Sequence, residues 1–299
     1  MARRPRYRLI GGLRMPLGFP PAALESAAAF APAPGDVFVC SYPKCGTTWL
    51  QYIVYLLVRR RRLNPDQALG DVFPHVEEVG TEPIEALPAP RLIKTHLFFN
   101  ATPMTSEARY LVIARNPFDC CVSFFHHTRG FPVHYDFVAG TFADYFECFV
   151  RGEVDFGDYF EYWRSWQAAL DRPNVCFLTY EMLKSDVRAE IRRVAGFLGP
   201  AVLDYAADER VLDELIEESS LASMQRDQAR WSSRRADGMP PFVREGAVGG
   251  WKSLFTPEQA ARLLAKFDRC FGATPFGTLW PDVIADARAY AAGASAQQQ

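Results

Sequence analysis

The stretch Ser41-Tyr-Pro-Lys-Cys-Gly-Thr-Thr-Trp49 constrains this chain more than any other. It follows a short apolar run, Asp36-Val-Phe-Val-Cys-Ser41. It precedes a segment in which Trp49, Leu50, Ile53, Val54, Leu57 and Val58 recur at helical spacing until four arginines, 59–62, end it in positive charge. A strand, a Pro/Gly turn and a helix in that order make a phosphate-binding junction, because the first N–H groups of a helix have no partner within it and its dipole favours an anion. Lys44 adds a full charge, and Thr47 and Thr48 add hydroxyl donors. The order excludes an ordinary nucleoside-triphosphate loop, GxxxxGKS/T, since Lys44 precedes Gly46 and the first glycine is missing. A tight turn with a surface lysine would explain Pro43 and Gly46, but not a lysine, two threonines and a tryptophan together at the head of one helix.

Two more short strands are expected at Arg91-Leu-Ile-Lys-Thr95 and Arg109-Tyr-Leu-Val-Ile-Ala114, and a fourth at Asn174-Val-Cys-Phe-Leu-Thr-Tyr180, each followed by a helical pattern. Strands alternating with helices imply a parallel sheet. Further helices are expected at about 143–150, 159–170, 187–198, 211–218 and 257–271, and residues 226–251, with three Pro or Gly clusters among five arginines, read as a long functional loop. The fold expected is a single α/β domain with a central parallel sheet flanked by helices and a P-loop-like strand-loop-helix. Residues 36–287 form the body, 1–35 an N-terminal extension packing near the acceptor pocket, and 288–299 a frayed tail. The Ala/Pro-rich stretch 20–34 reads as a loop.

With 33 Lys+Arg against 35 Asp+Glu the net charge is −2, so a dedicated nucleic-acid binder is excluded and any anion site must be local. Seven cysteines, an odd number without a CxxC pair, favour a reducing compartment. No signal-peptide pattern and no long uncharged apolar stretch occurs, so the expected location is cytoplasmic, with no membrane partner.

The loop 41–49 resembles the 5′-phosphosulfate loop, YPKxGTTW, of the cytosolic sulfotransferases. Lys94-Thr95-His96-Leu97 is similar to the family's KTH segment, and Tyr110-Leu-Val-Ile-Ala-Arg-Asn-Pro-Phe-Asp-Cys-Cys-Val-Ser123 to its 3′-phosphate segment. Phe177-Leu-Thr-Tyr-Glu181, Val243-Arg-Glu-Gly246 and Gly250-Trp-Lys-Ser-Leu-Phe-Thr256 continue the resemblance in order, over about residues 36–270. What it implies is transfer of a sulfuryl group from 3′-phosphoadenosine 5′-phosphosulfate to the hydroxyl or amine of a small aromatic acceptor, leaving adenosine 3′,5′-bisphosphate, with no metal. The residues support that independently: a nucleotide with phosphates at both ends of its ribose needs two anion sites, and the chain offers Lys44 to Thr48 and, separately, Arg115 with Ser123.

By the resemblance, Lys44, Cys45, Gly46, Thr47, Thr48 and Trp49 hold the cofactor together with Arg115, Ser123, Tyr180, Ser219, Leu221, Arg244, Glu245 and Gly246; Trp49 and Tyr180 flank the adenine. His96 is assigned the proton-accepting role, and Lys44 and Lys94 stabilise developing charge. Phe19, Phe98, Phe125 and His127, with Phe99, Phe124 and Phe131 nearby, are candidates for an apolar acceptor pocket, against the plainer reading of core packing. Two departures stand out. Glu245 replaces the family's usual lysine, placing a negative charge beside a phosphate, and Leu221 replaces a phenylalanine that packs on the adenine. The family's dimer segment, KxxxTVxxxE, is represented by Lys252, Thr256, Pro257 and Ala261, so a monomer or weak dimer is expected. The competing readings are a P-loop-type nucleotide or small-molecule kinase, which would need magnesium, and a non-catalytic nucleotide-binding protein, which would not need His96 and both lysines.

Overall fold

The computed structural model describes residues 3–233 and 235–295. Six strands occur among them: β1 (Arg8–Ile10), β2 (Leu13–Met15), β3 (Val37–Cys40), β4 (Leu92–Thr95), β5 (Arg109–Ala114) and β6 (Val175–Thr179). The last four form one all-parallel sheet in the order β4-β3-β5-β6. All four residues of β3 are buried, as expected of a strand covered on both faces. Alternation along the strands splits the core in two. Phe38, Cys40, Tyr110 and Val112 face the helices Pro117–Gly130, Phe142–Val150, Tyr159–Gln167 and Pro257–Phe271. Val37, Val39, Leu111 and Ile113 face the helices Thr47–Arg59, Val187–Leu198 and Glu209–Glu218. Phe38 stacks on Tyr110 with centroids 5.0 Å apart, and each ring of that size contributes roughly 1.5–3 kcal/mol by leaving water.

The register pairs Cys40 with both Thr95 and Val112, and Ala114 with Thr179, so the carboxyl ends of all four strands finish along one edge. Ligands bind at such an edge in open α/β sheets, where helix N-termini and loops converge. The loop 41–49 leaves β3 there, Lys94 to His96 end β4, Arg115 follows β5 and Tyr180 follows β6. The four expected strands and the helices at 187–198 and 257–271 lie where the sequence put them.

Three segments differ from expectation. The stretch 20–34 contains a helix, Pro21–Ala29, rather than only a loop: proline is favoured in a first helical turn, alanine has the highest helix propensity, and Ala23, Leu24 and Ala27 are buried. Residues 8–15 form a hairpin through Gly11-Gly12, whose φ values of 56° and 84° suit the mirror-image turn such hairpins prefer. The tail is not frayed from 288 onward. A helix, Pro281–Ser295, continues through it, with Val283, Ile284 and Ala287 buried and Tyr290 donating to the Phe255 carbonyl at 2.8 Å; residues 296–299 lie outside the described residues. No helix among the described residues is long and apolar enough to cross a membrane.

Candidate active site

The phosphate-type loop is built around two left-handed residues, Lys44 (φ 68°) and Gly46 (φ 97°), the second serving as N-cap of the helix Thr47–Arg59. Alternating handedness curls successive N–H groups inward as an anion nest. Only glycine fits at 46: its φ is positive, and a Cβ would stand 2.8 Å from the Tyr180 ring. Tyr42 anchors the loop from below, fully buried and donating to the Gly157 carbonyl at 2.9 Å. The Cys45 thiol turns away from the cleft into the core, 3.9 Å from the Cys120 sulfur, so its side chain is packing and not part of the lining.

Lys44 Nζ lies 4.0 Å over the Phe242 ring, and its pKa is held well below the usual lysine range by burial and then by Arg235, Lys94 and Arg115. Lys94, also in the cleft, is lowered by burial, with Glu78 and Glu77 opposing. A chain of net charge −2 thus gathers Lys44, Lys94, Arg115 and Arg235 into one concavity. Such a cluster is electrostatically strained until an anion arrives.

Arg115 opens the second anion site. One of its terminal nitrogens donates to the Ala247 carbonyl at 2.8 Å, its guanidinium covers the Tyr180 ring at 4.3 Å, and its Nε is buried without a partner. A surface ion pair with Asp119 does not account for it: the separation is 4.0 Å, and the Asp119 carboxylate is committed to the Gly249 N–H at 2.9 Å, the Trp251 N–H at 3.1 Å and the Asn116 side chain. Asp119 instead pins the loop that closes over Arg115. Ser123, in the second turn of the helix Pro117–Gly130, also lines the cleft. Tyr180 donates to the Gly246 carbonyl at 2.8 Å, and Leu221 packs where a Cβ on Gly246 would be. Ser219 donates to Leu215 and is buried. Glu245 is paired with Arg244 at 3.0 Å, which partly neutralises the charge that the sequence placed beside this site.

Trp49 and Tyr180 meet edge to face with centroids 5.6 Å apart. A ring sandwiched between two others needs about 7 Å. They therefore meet as one corner of the cleft.

His96 is buried at the end of β4. Its Nδ1 lies 2.6 Å from the Ser41 carbonyl oxygen, which can only accept, so Nδ1 donates and the neutral ring carries its lone pair on Nε2. Its backbone N–H donates to Glu77 at 2.9 Å, as does the Thr95 hydroxyl, and His75 Nε2 lies 2.8 Å from the other Glu77 oxygen. Burial, then the charges of Lys94 and His75, lower the His96 pKa well below its usual value. Ser41 Oγ, 2.6 Å from Thr47 Oγ1 and 3.3 Å from His96 Nδ1, connects this histidine to the phosphate-type loop.

Lys44, Gly46, Lys94, His96, Arg115, Ser123 and Tyr180 line a single cleft of about 630 Å³. Trp49, Ser219, Leu221, Arg244, Glu245 and Gly246 lie along it with Lys44, Thr47 and Thr48, and Phe19, His127 and Phe131 line it too. Phe98 and Phe125 do not. Phe98 packs edge-on against Tyr162, and Phe125 is buried against Phe142 and Tyr145. Phe99 and Phe124 likewise pack against Trp166 and Tyr42. Residues the sequence did not single out complete the lining: Trp231 and Arg235 from the loop 226–251, His75, His134, Tyr135, Asp155 and Phe156. The five arginines of that loop were the signal for Arg235. The pattern around Asp155 carried none.

A family model described as a sulfotransferase domain matches residues 34–275. Among curated proteins, sulfotransferase 1C2 of Oryctolagus cuniculus is 35% identical over 251 residues, covering 79% of this chain and 82% of the relative, and the Homo sapiens protein of that name is 34% identical over 250 residues, 78% and 82%. Among solved structures, mouse sulfotransferase SULT7A1 complexed with PAP superposes with a TM-score of 0.74 at 24% identity, covering 96% of this chain and 99% of that one. Retinol dehydratase in complex with androsterone and the inactive cofactor PAP gives 0.75 at 24% identity, covering 88% of each.

Proposed function

The chain belongs to the sulfotransferase family, and from that premise we propose that its cleft binds 3′-phosphoadenosine 5′-phosphosulfate and directs the sulfuryl group to the hydroxyl or amine of a small aromatic acceptor. The observation that carries this reading is the convergence of Lys44, Lys94, Arg115 and the buried His96 on one cleft at the carboxyl edge of a parallel sheet. The fit is supported by the nest at Lys44 and Gly46 for the 5′ end and by the unpartnered Arg115 Nε for the 3′-phosphate, two anion sites with an aromatic corner nearby. Bound there, the donor supplies a sulfur whose bond to the bridging oxygen breaks as the acceptor oxygen attacks.

The residues of the chain do the rest. Lys44, Thr47 and Thr48 hold the phosphosulfate end, and Arg115, Ser123, Arg244 and Gly246 the 3′ end. Trp49, Tyr180, Leu221, Met224 and Trp231 enclose the base. His96 Nε2 takes the acceptor's proton, which its tautomer and low pKa keep it ready to do at neutral pH. The dianionic phosphosulfate end of the donor, beside Lys94, offsets the charge that depresses His96, so the base strengthens once the donor is in place. Lys44 and Lys94 face the charge that grows on the departing oxygen, stabilisation that strengthens toward the transition state. Phe19, His127, Phe131 and Phe156 wall the acceptor arm.

A P-loop-type kinase is not favoured, since the lysine stands on the wrong side of the glycine and the family matched is a transferase of sulfuryl groups. Calorimetric titration decides between the readings. Adenosine 3′,5′-bisphosphate should bind tightly in EDTA, with ATP and magnesium much weaker; tight ATP–magnesium binding without bisphosphate binding overturns the reading.

A further inference from the structure

The Asp155 side chain lines the cleft, is 1% exposed, and forms no ion pair with any of the described residues. One oxygen, Oδ2, accepts from the Tyr135 hydroxyl at 2.7 Å, and the other, Oδ1, is buried without any partner. An unpaired buried carboxylate oxygen is costly, and structures keep few of them without a use. The residue that follows, Phe156, is held at φ 60°, a conformation that bulky residues avoid, with its N–H donating to the Arg14 carbonyl at 2.9 Å and its ring 5.1 Å from His96. That pinned backbone fixes Asp155 one residue away from the wall of the proposed base. Burial holds its carboxyl up at about 7, as expected for a group waiting for a partner it lacks. Glu78 lines the same cleft.

We propose that Asp155 is the acceptor-recognition residue, and that the preferred acceptors are phenols carrying an alkylammonium group, whose N–H donates to Oδ1 while the phenolic oxygen lies at His96. This rests on the sulfuryl-transfer reading and specifies its substrate class. The cation would complete the hydrogen bonding of Asp155, whose Oδ1 has no partner among the described residues. A plain hydrocarbon substituent would leave Oδ1 as it stands, and a hydroxyl would satisfy it without neutralising it.

The test compares phenols bearing a para aminoethyl, hydroxyethyl or ethyl group, in wild type, Asp155→Asn and Tyr135→Phe. In wild type the aminoethyl compound should exceed the ethyl compound in kcat/KM by about tenfold or more, mainly through KM. In Asp155→Asn the amide oxygen keeps the Tyr135 bond and an NH₂ donor faces the cleft, so that ratio should fall to about one or below, with the hydroxyethyl compound losing less. Tyr135→Phe, which frees the second oxygen, should keep the preference. Binding of the same three phenols to protein saturated with adenosine 3′,5′-bisphosphate, measured by calorimetry, should rank them identically without turnover. No preference in wild type, or one that survives in Asp155→Asn, overturns the assignment of Asp155. If instead no phenol is sulfated, the transfer reading fails, and the binding ranking still decides the role of Asp155.

Discussion

Replacing Arg115 by alanine should weaken adenosine 3′,5′-bisphosphate far more than adenosine 5′-monophosphate, which lacks the 3′-phosphate. One guanidinium nitrogen is spent on the Ala247 carbonyl and Nε has no partner among the described residues, so at least one buried, charged donor can turn to a ligand. Asp119 does not compete, because two backbone N–H groups and Asn116 occupy its oxygens. A charge-assisted hydrogen bond of this kind contributes about 1.5–3 kcal/mol, or roughly 10- to 150-fold in affinity. The monophosphate should lose no more than severalfold, through the loosened contact to the loop at Ala247. Calorimetric titration of both nucleotides into wild type and Arg115→Ala measures the difference directly, and thermal melts establish that the variant is folded. Equal weakening of both nucleotides would show that Arg115 shapes the loop and does not touch a 3′-phosphate.

Two stability predictions depend on pH. His96 is lowered well below its usual pKa, so the unfolded chain takes a proton below about pH 6.5 that the native state refuses, and this group's contribution is lost as pH falls, by up to about 1.4 kcal/mol per unit; urea unfolding of His96→Gln should show a shallower decline between pH 7 and 5 than wild type, and parallel curves would contradict it. Asp155 has the opposite sign: its folded value of about 7 exceeds the unfolded one, so its contribution is full below about pH 4 and lost as pH rises toward 7. Asp155→Asn should therefore melt higher relative to wild type at pH 7.5 than at pH 4, and a constant offset would refute this. Thr256 caps the helix Pro257–Phe271 in a reciprocal box with Gln259, so that segment is helical and not extended for pairing. Light scattering at micromolar concentration should give a monomer mass, and a tight dimer through residues 252–261 would contradict it.

What the sequence made legible was whatever contiguous residues carry. The loop 41–49, the Lys94 to His96 strand end and Arg115 each follow an apolar run, and a parallel sheet must bring such strand ends to one edge. Side-chain direction was harder to read. Ser123 and Phe125 are two residues apart on one helix, about 200° around its axis, so only Ser123 can face the cleft while Phe125 faces the core. His126 and His127, three and four residues after Ser123, share its face and line the cleft with it. Phe98 lies just beyond the base, yet the chain turns it onto Tyr162. Trp231, Arg235 and Asp155 reach the site through irregular backbone, where no periodicity reports direction. The partnering of Glu245 with Arg244 and the edge contact of Trp49 with Tyr180 are likewise facts of geometry that spacing does not encode.

The measurement that tests the account most directly is transfer of labelled sulfate from 3′-phosphoadenosine 5′-phosphosulfate, in EDTA, to a series of phenols of graded pKa by wild type and His96→Ala. If His96 Nε2 removes the acceptor's proton, the variant should lose about 10²–10⁴-fold in kcat while retaining nucleotide affinity, with the largest loss on weakly acidic phenols and the smallest on those already ionised. A wild type that moves no label, or a wild-type-to-variant ratio that stays flat across the series, would contradict the account.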